Sequence, residues 1–386
     1  MYWEARLEVP LIANSMQRNQ FYKLRQHLHF VDNLEKPNNN DRFWKVRPLF
    51  DSIRNKCLTL PLELSLSIGE QIVPFKGKLD VKQYVKGKPC PWGIKIFALC
   101  GASGLLYDFL LYQGSTTELD ETFKKHLGLG AAVVWKLAER ISEENIQLYY
   151  HNYFSNYQLL QCLRQKQIWA SGTARLDRFK APLFSSDKVL QAKGRGTSEE
   201  LISGDGEVIL TRWYDNKAVN MASNFMGIGE TYVCKRWDKK QKQYVYVTRP
   251  KVVQQYNLNM GGVDKLDFLV SLYRSFIRTK KWTLRMFTHG IDLACVNAWL
   301  QYRSKTTALG LPKKQILDLL HFRAYVGEAL ILLSKSGPRK RGRPSVVTDG
   351  EPQTARSSTR PRPEVRTLDD IRFDGMNHLP EVDEKR

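Results

Sequence analysis

The chain has 386 residues, 42% of them hydrophobic and 11% aromatic, enough for two or three domains with real cores and too apolar for a disordered polymer. Its formal net charge of +21 demands a broadly electropositive surface, which suits a polyanion, most often nucleic acid, over an acidic-surface protein. The six cysteines (Cys57, Cys90, Cys100, Cys162, Cys234, Cys295) lack CxxC spacing and read as buried thiols of a reducing compartment, not a disulfide frame or zinc site.

Residues 1–60 read as helical and amphipathic. Met16, Phe21, Leu24 and Leu28 fall at helical spacing, with Arg18, Lys23, Arg25 and His27 elsewhere, and Asn14 or Ser15 is placed to cap the helix. A basic helix of this kind serves equally as a DNA contact or as a solvated face. Residues 61–178 alternate strands and helices. In "ELSLSIGEQIVPFKGK", Leu64, Leu66 and Ile68 alternate with Ser65, Ser67 and Gly69, which predicts one apolar face and one small, open face. "GIKIFALC" and "LLYDFLLYQG" complete an antiparallel meander, and the glycines and Asp108 that break this apolar run exclude a membrane span. A helix near "ETFKKHLGLGAAVVWKLAERI", a strand in "NIQLYYHNYFSN", a helix "YQLLQCLRQKQ" and a strand "IWASGTAR" follow, giving a mixed α/β sheet.

Residues 179–252 carry short polar strands such as "EVILTRWYD" and "QYVYVTR" and read as a β-rich insertion. Residues 282–303 form a strong helical pattern, with Leu284, Phe287, Ile291, Cys295 and Ala298 on the expected apolar stripe. The segment before and into it carries Arg274, Arg278, Lys280, Lys281 and Arg285, a candidate DNA-contacting set. From about residue 335 the apolar pattern stops, and a basic tail rich in Pro and Ser is expected to be disordered. Within it "PRKRGRP" presents Arg339, Lys340, Arg341 and Arg343 around Gly342, an AT-hook-like core suited to a minor groove and equally to a nuclear-import signal.

Several ordered blocks resemble the piggyBac transposase family, in particular the piggyBac transposable element-derived proteins: "RNQFYKLRQHLHFVDN", "LSIGEQIVPFKGK", "YVKGKPCPWGIKIFALC", "YYHNYFSNYQLL", "RWYDNKAVNMASNF" and "YNLNMGGVDKLD". The resemblance covers most of residues 1–310. It implies an RNase H-like mixed sheet core interrupted by a β-rich insertion and flanked by a helical DNA-binding and dimerisation domain. The boundaries expected are 1–60 (partial helical region), 61–178 (first part of the core), 179–252 (insertion), 253–267 (third acidic block), 268–334 (second helical part) and 335–386 (tail). Active members transfer phosphoryl groups with three aspartates that hold two Mg2+ ions, because paired hard cations need several carboxylates at once.

The family's three acidic positions fall on Gly69, His151 and Asp264, with Asp267 at a further commonly acidic place. Only the third is a carboxylate here. Glu70 sits on the wrong side of an alternating strand to replace Gly69. Neutral imidazole at His151 suits zinc or nickel and is a poor magnesium ligand. The expectation is therefore a domesticated nuclear DNA-binding protein that does not cleave or join DNA, with no metal site and no cofactor. Its expected partners are DNA, bound nonspecifically or with A·T preference, and a second copy of the chain. No membrane partner is expected. The competing readings are an active transposase with relocated ligands and a protein-interaction scaffold. The resemblance also implies that an acidic leader, part of the N-terminal helical region and the family's C-terminal zinc module lie outside this sequence.

Overall fold

The computed structural model describes residues 2–4, 9–239 and 241–335. The basic tail, with Arg339, Lys340, Arg341 and Arg343, lies outside them. The chain divides into two compact units, Met1–Pro37 with Leu317–Arg386, and Asn38–Ile316.

The smaller unit contains helices α1 (Pro10–Ala13) and α2 (Arg18–His27). The expected cap of α2 is not where sequence placed it. Asn14 closes α1, Ser15 turns its hydroxyl back to the Leu11 carbonyl, and Gln17 begins α2 in extended backbone. The short α1 uses the two capping residues as its own C-terminal stop. Trp3 fixes the junction, its indole N–H donating to the Met16 carbonyl at 2.7 Å and its ring 5.5 Å from that of Phe21.

The larger unit opens with α3 (Arg47–Leu58) and strands β1 (Ser65–Pro74), β2 (Gln83–Tyr84), β3 (Trp92–Gly101) and β4 (Leu106–Leu111). It continues through α4 (Glu121–Ala138), β5 (Gln147–Tyr150), α5 (Tyr157–Gln165), β6 (Trp169–Thr173) and α6 (Asp187–Lys193). Then come β7 (Ser198–Ile202), β8 (Ile209–Tyr214), β9 (Ala218–Ser223), β10 (Tyr232–Asp238) and β11 (Gln243–Arg249). Helices α7 (Lys251–Asn259), α8 (Gly262–Leu272) and α9 (Trp282–Ala308) complete it. Helix α10 (Leu319–Lys335) returns to the smaller unit.

A nine-stranded mixed sheet runs in the order β2-β3-β1-β5-β6-β9-β8-β7, with β4 on β3. β1, β3 and β4 form the expected antiparallel meander, and β1, β5 and β6 are parallel. The β-rich segment does more than interrupt the core. Its β7, β8 and β9 extend the same sheet through β6, and only β10 and β11 form a separate two-stranded ribbon.

One face of the sheet buries Leu66, Ile68, Leu148 and Tyr150 against Ala131, Val134 and Leu137 of α4 and Leu159 and Leu163 of α5. Small residues on α4 allow this approach: a Cβ on Gly130 would lie 2.4 Å from the Tyr153 carbonyl oxygen. Asp120 and Asn156 cap α4 and α5 with their side-chain oxygens.

The opposite face, expected to be open, is covered by α8. Ser67 and Gly69 are buried there, and Leu64, which precedes β1, is exposed instead. A Cβ on Gly262 would fall 2.3 Å from the Gly101 carbonyl oxygen and 2.6 Å from Ser67 Oγ, so the small residues mark a close helix–sheet seat, not a solvent face. Below it, Arg54 of α3 makes a bidentate pair with buried Asp108 of β4, at 2.6 and 3.0 Å.

Helix α9 is confirmed, but its buried face differs from the expected stripe. Ile291 and Ala298 are exposed, whereas Met286, His289, Asp292, Leu293, Val296 and Asn297 are buried. Polar groups on that face satisfy backbone and side-chain partners. Asn297 exchanges bonds with the Leu106 N–H (2.7 Å) and carbonyl (3.0 Å), and Asp292 accepts from the Ser275 N–H and hydroxyl at 2.9 and 2.8 Å. Hydrophobicity alone could not find a face held by hydrogen bonds. No helix among the described residues is long and apolar enough to cross a membrane.

Candidate active site where two parallel strands part

β1 and β5 pair in parallel up to Ile68 and Tyr150; β5 ends there and its chain passes on to His151, while β1 runs on through Gly69, still paired with β3, to Pro74. Gly69 and His151 are therefore the next positions along two neighbouring strands, Gly69 within β1 and His151 just past the end of β5. Gly69 keeps the strand's alternation: a Cβ added there would point at α8 and meet Val263 Cβ at 3.0 Å. Asp264 is the next residue of that helix and Asp267 lies one turn on. Residues from three separated blocks of sequence thus meet where β1, β5 and α8 converge. Glu70 points to the other face and pairs with Lys95 at 3.3 Å.

His151 is at the rim, with Nδ1 3.1 Å from the Tyr256 hydroxyl of α7. Desolvation by the surrounding protein lowers its pKa, the Asp264 carboxylate pulls it up, and the Lys88 ammonium pushes it down. Asp264 is largely exposed, while Asp267 is mostly covered, and desolvation raises the Asp267 pKa against the opposing pull of Gln71 and Lys88. Lys88, on the loop between β2 and β3, places Nζ 3.2 Å from Asp264 and 3.7 Å from Asp267.

A hydrogen-bonded chain leads inward from this ion cluster. Gln71, two residues after Gly69 and so on the same strand face, donates to Asp267 Oδ1 at 2.6 Å. Its carbonyl oxygen lies 3.0 Å from His289 Nε2. A carbonyl oxygen only accepts, so His289 carries its proton on Nε2, and Nδ1 is left buried without a partner. Burial, reinforced by Arg274 and Arg285, pushes the His289 pKa down to about 3, so the ring is neutral.

Two magnesium ions do not fit these side chains. Two carboxylates, an imidazole and an ammonium offer too few hard oxygen donors, and the ammonium already lies against both carboxylates. Among the described residues no three His, Cys, Asp or Glu side chains gather as ligands for a metal ion. A cleft of about 410 Å³ opens beside the cluster, lined by Ile72, Lys88, Asp264, Asp267, Phe268 and Arg274.

The basic segment is split by the fold. Arg278, Lys280 and Lys281 are exposed. Arg274 is half-buried and lines the cleft, and Arg285 turns inward to the Ile277 carbonyl at 3.1 Å with its guanidinium 5.8 Å from the Phe276 ring centre. Sequence reasoning missed Lys88, Gln71, Tyr256 and His289. Gln71 had a signal, its i+2 spacing from Gly69; the others meet the site only through tertiary contacts.

The family model described as Transposase IS4 matches residues 1–299. Among curated human proteins, the chain is 31% identical to PiggyBac transposable element-derived protein 3 over 98% of its own length, and 31% identical to PiggyBac transposable element-derived protein 2 over 89%. It spans 60% and 57% of the lengths of those relatives. A cryo-EM structure of a piggyBac transposase synaptic complex with hairpin DNA is similar in fold, with a TM-score of 0.70 at 22% identity, covering 88% of this chain and 68% of that one.

Proposed function

The chain belongs to the transposase family described as Transposase IS4, with piggyBac transposable element-derived proteins among its relatives, and from that premise we propose that it is a nuclear DNA-binding protein that no longer cleaves or joins DNA. One observation carries the loss of chemistry. At the convergence of β1, β5 and α8 the two neighbouring strands present Gly69, within β1, and His151, just past β5, and the two acids of α8 share a lysine. Phosphoryl transfer through two metals needs carboxylates on both sides of the ion pair, and here they come from one side only. Binding needs no such site. The excess positive charge and the exposed Arg278, Lys280 and Lys281 supply phosphate contacts, which are strong and carry no base information.

The test is a titration of the protein with duplex DNA at rising salt, alongside incubation with Mg2+ or Mn2+. Affinity is expected to fall steeply and linearly on a log–log plot, and Lys280→Ala with Lys281→Ala to flatten that slope. DNA is expected to stay intact. Cleavage by the unaltered protein, or binding indifferent to salt, would overturn the respective half of the proposal.

A further inference from the structure

The β10–β11 ribbon presents one face to its own core and the other to solvent. Inward, Cys234, Val245 and Val247 pack with Trp213, Met221 and Val252, and the Trp213 indole N–H donates to the Thr248 carbonyl at 2.8 Å. Outward, the register pairs Lys235 with Tyr246 and Trp237 with Tyr244 across the strands. Their rings are far from buried: Trp237 is 48% exposed, Tyr244 59% and Tyr246 75%. The Trp237 and Tyr244 rings meet edge to face at 5.1 Å, and Lys235 Nζ stands 4.4 Å from the Tyr244 ring centre.

In sequence the ribbon and its turn carry Lys235, Lys239, Lys240 and Lys242 besides Arg236 and Arg249, which share the inward register of Cys234 and Val247, Arg236 pairing with Asp215 at 3.2 Å. Asp238 is itself paired from outside the ribbon by Arg195, at 3.6 Å. A protein-contact face would also use tryptophan and tyrosine. The lysine excess that remains, with Asp238 paired from outside, favours a polyanion as the occupant.

We propose that the outer face of the ribbon is a stacking platform for unpaired bases of single-stranded DNA, with Trp237, Tyr244 and Tyr246 taking the bases and Lys235 the adjoining phosphate. Flat rings on an exposed sheet face with Lys235 among them match the two halves of an unpaired nucleotide. Bases in a duplex hide their flat faces in their own stack and are poor occupants. The proposal rests on the DNA-binding reading above and deepens it by naming a second surface and its ligand.

The experiment titrates the full chain with a thymidine oligomer of about 20 nucleotides and with a duplex of equal length. Trp237→Ala combined with Tyr244→Ala and Tyr246→Ala is expected to weaken single-strand binding roughly ten- to a hundredfold and to leave duplex affinity unchanged. Trp237→Phe, which keeps a flat ring, is expected to retain most of the binding. Unchanged duplex affinity also reports that the triple variant is folded. If single-strand affinity does not move, the ribbon is a protein-contact face and the proposal falls while duplex binding stands. Equal losses on both ligands would make the face a plain charge surface and overturn it as well. Binding of neither ligand by the unaltered chain would remove the DNA-binding reading together with this one.

Discussion

Where α8 lies over β1 the charges face one another, Lys88 reaching Asp264 and Asp267 at 3.2 and 3.7 Å, while on the ribbon Lys235 reaches an aromatic ring at 4.4 Å. Both regions pack against the nine-stranded sheet, and both are backed by half-buried polar bonds: Gln71 to Asp267 under the first, Trp213 to Thr248 under the second. The difference lies in where the charge is answered. A cation answered by internal carboxylates has little left for an external anion, and the acids it holds have little left for a metal. A cation among exposed rings is still open to a phosphate. On the reading proposed above, catalysis and binding need different placements of the same residue types, so one can be lost without the other.

The largest expected effect sharpens the buried side of this comparison. His289 sits at about 3 when folded, against 6.5 for the free side chain, so between those values the unfolded chain binds the extra proton. Stability from this group is therefore fully present above pH 6.5 and is lost as pH falls toward 3. The groups that bias it are Arg274 and Arg285, both opposing a charge on the ring. Denaturant unfolding at several pH values should show an acid-side loss on the order of several kcal/mol. His289→Phe should be less stable at neutral pH, because Gln71 loses its partner, yet should show a shallower acid slope. An unchanged slope in that variant would assign the acid sensitivity elsewhere.

A smaller effect should break the comparison at one end only. Gly262→Ala puts a methyl 2.3 Å from the Gly101 carbonyl oxygen of β3 and 2.6 Å from Ser67 Oγ of β1, so α8 must lift from the sheet. The expected cost is about 1–3 kcal/mol, typical of overpacking. Because α8 carries both acids and the ribbon packs on β8, β9 and α7 instead, single-strand binding at the ribbon should survive while the thermal midpoint drops. Parallel loss of both would show that the two regions are coupled through the sheet.

How far the sequence disclosed this arrangement depends on the kind of contact. Alternation in β1 and β5 and glycine-bounded apolar runs located the sheet, since each strand's pattern is set by its own two faces. The stripe assigned to α9 missed because that helix turns His289, Asp292 and Asn297 inward, where hydrogen bonds with the Gln71 side chain, Ser275 and Leu106 offset their desolvation. The small face of β1 was read as open when Ser67, Gly69 and Gly262 together signal close approach of a helix. The meeting of Gly69 and His151 with Asp264 came from the resemblance of whole blocks; no local period places α8 over β1. Lys88 and the outward rings of the ribbon had no local signature, because their significance lies in what stands opposite them in the fold.

The smallest effect concerns Lys88, and it tests whether charge answered internally is what separates the two regions. Asp264 is largely exposed, and the second contact, to the mostly covered Asp267, is long at 3.7 Å with Gln71 still donating to that carboxylate, so removing Lys88 should cost about 1 kcal/mol in stability. Lys88→Met is therefore expected to move the thermal midpoint little, and the unaltered chain is expected to show no added stabilisation from Mn2+. Gly69→Asp with His151→Asp supplies the missing oxygens, but the new Cβ at position 69 meets Val263 at 3.0 Å and requires a shift of a few tenths of an ångström. In that double variant Lys88 still lies against both α8 acids, so Mn2+ should stabilise it weakly. Adding Lys88→Met should release them and produce the larger Mn2+-dependent rise in midpoint, since an ion bound only by the folded state stabilises it by mass action. If the triple variant responds to Mn2+ no more than the double one, Lys88 is a bystander at the surface. The contrast with the ribbon would then rest on the missing carboxylates alone.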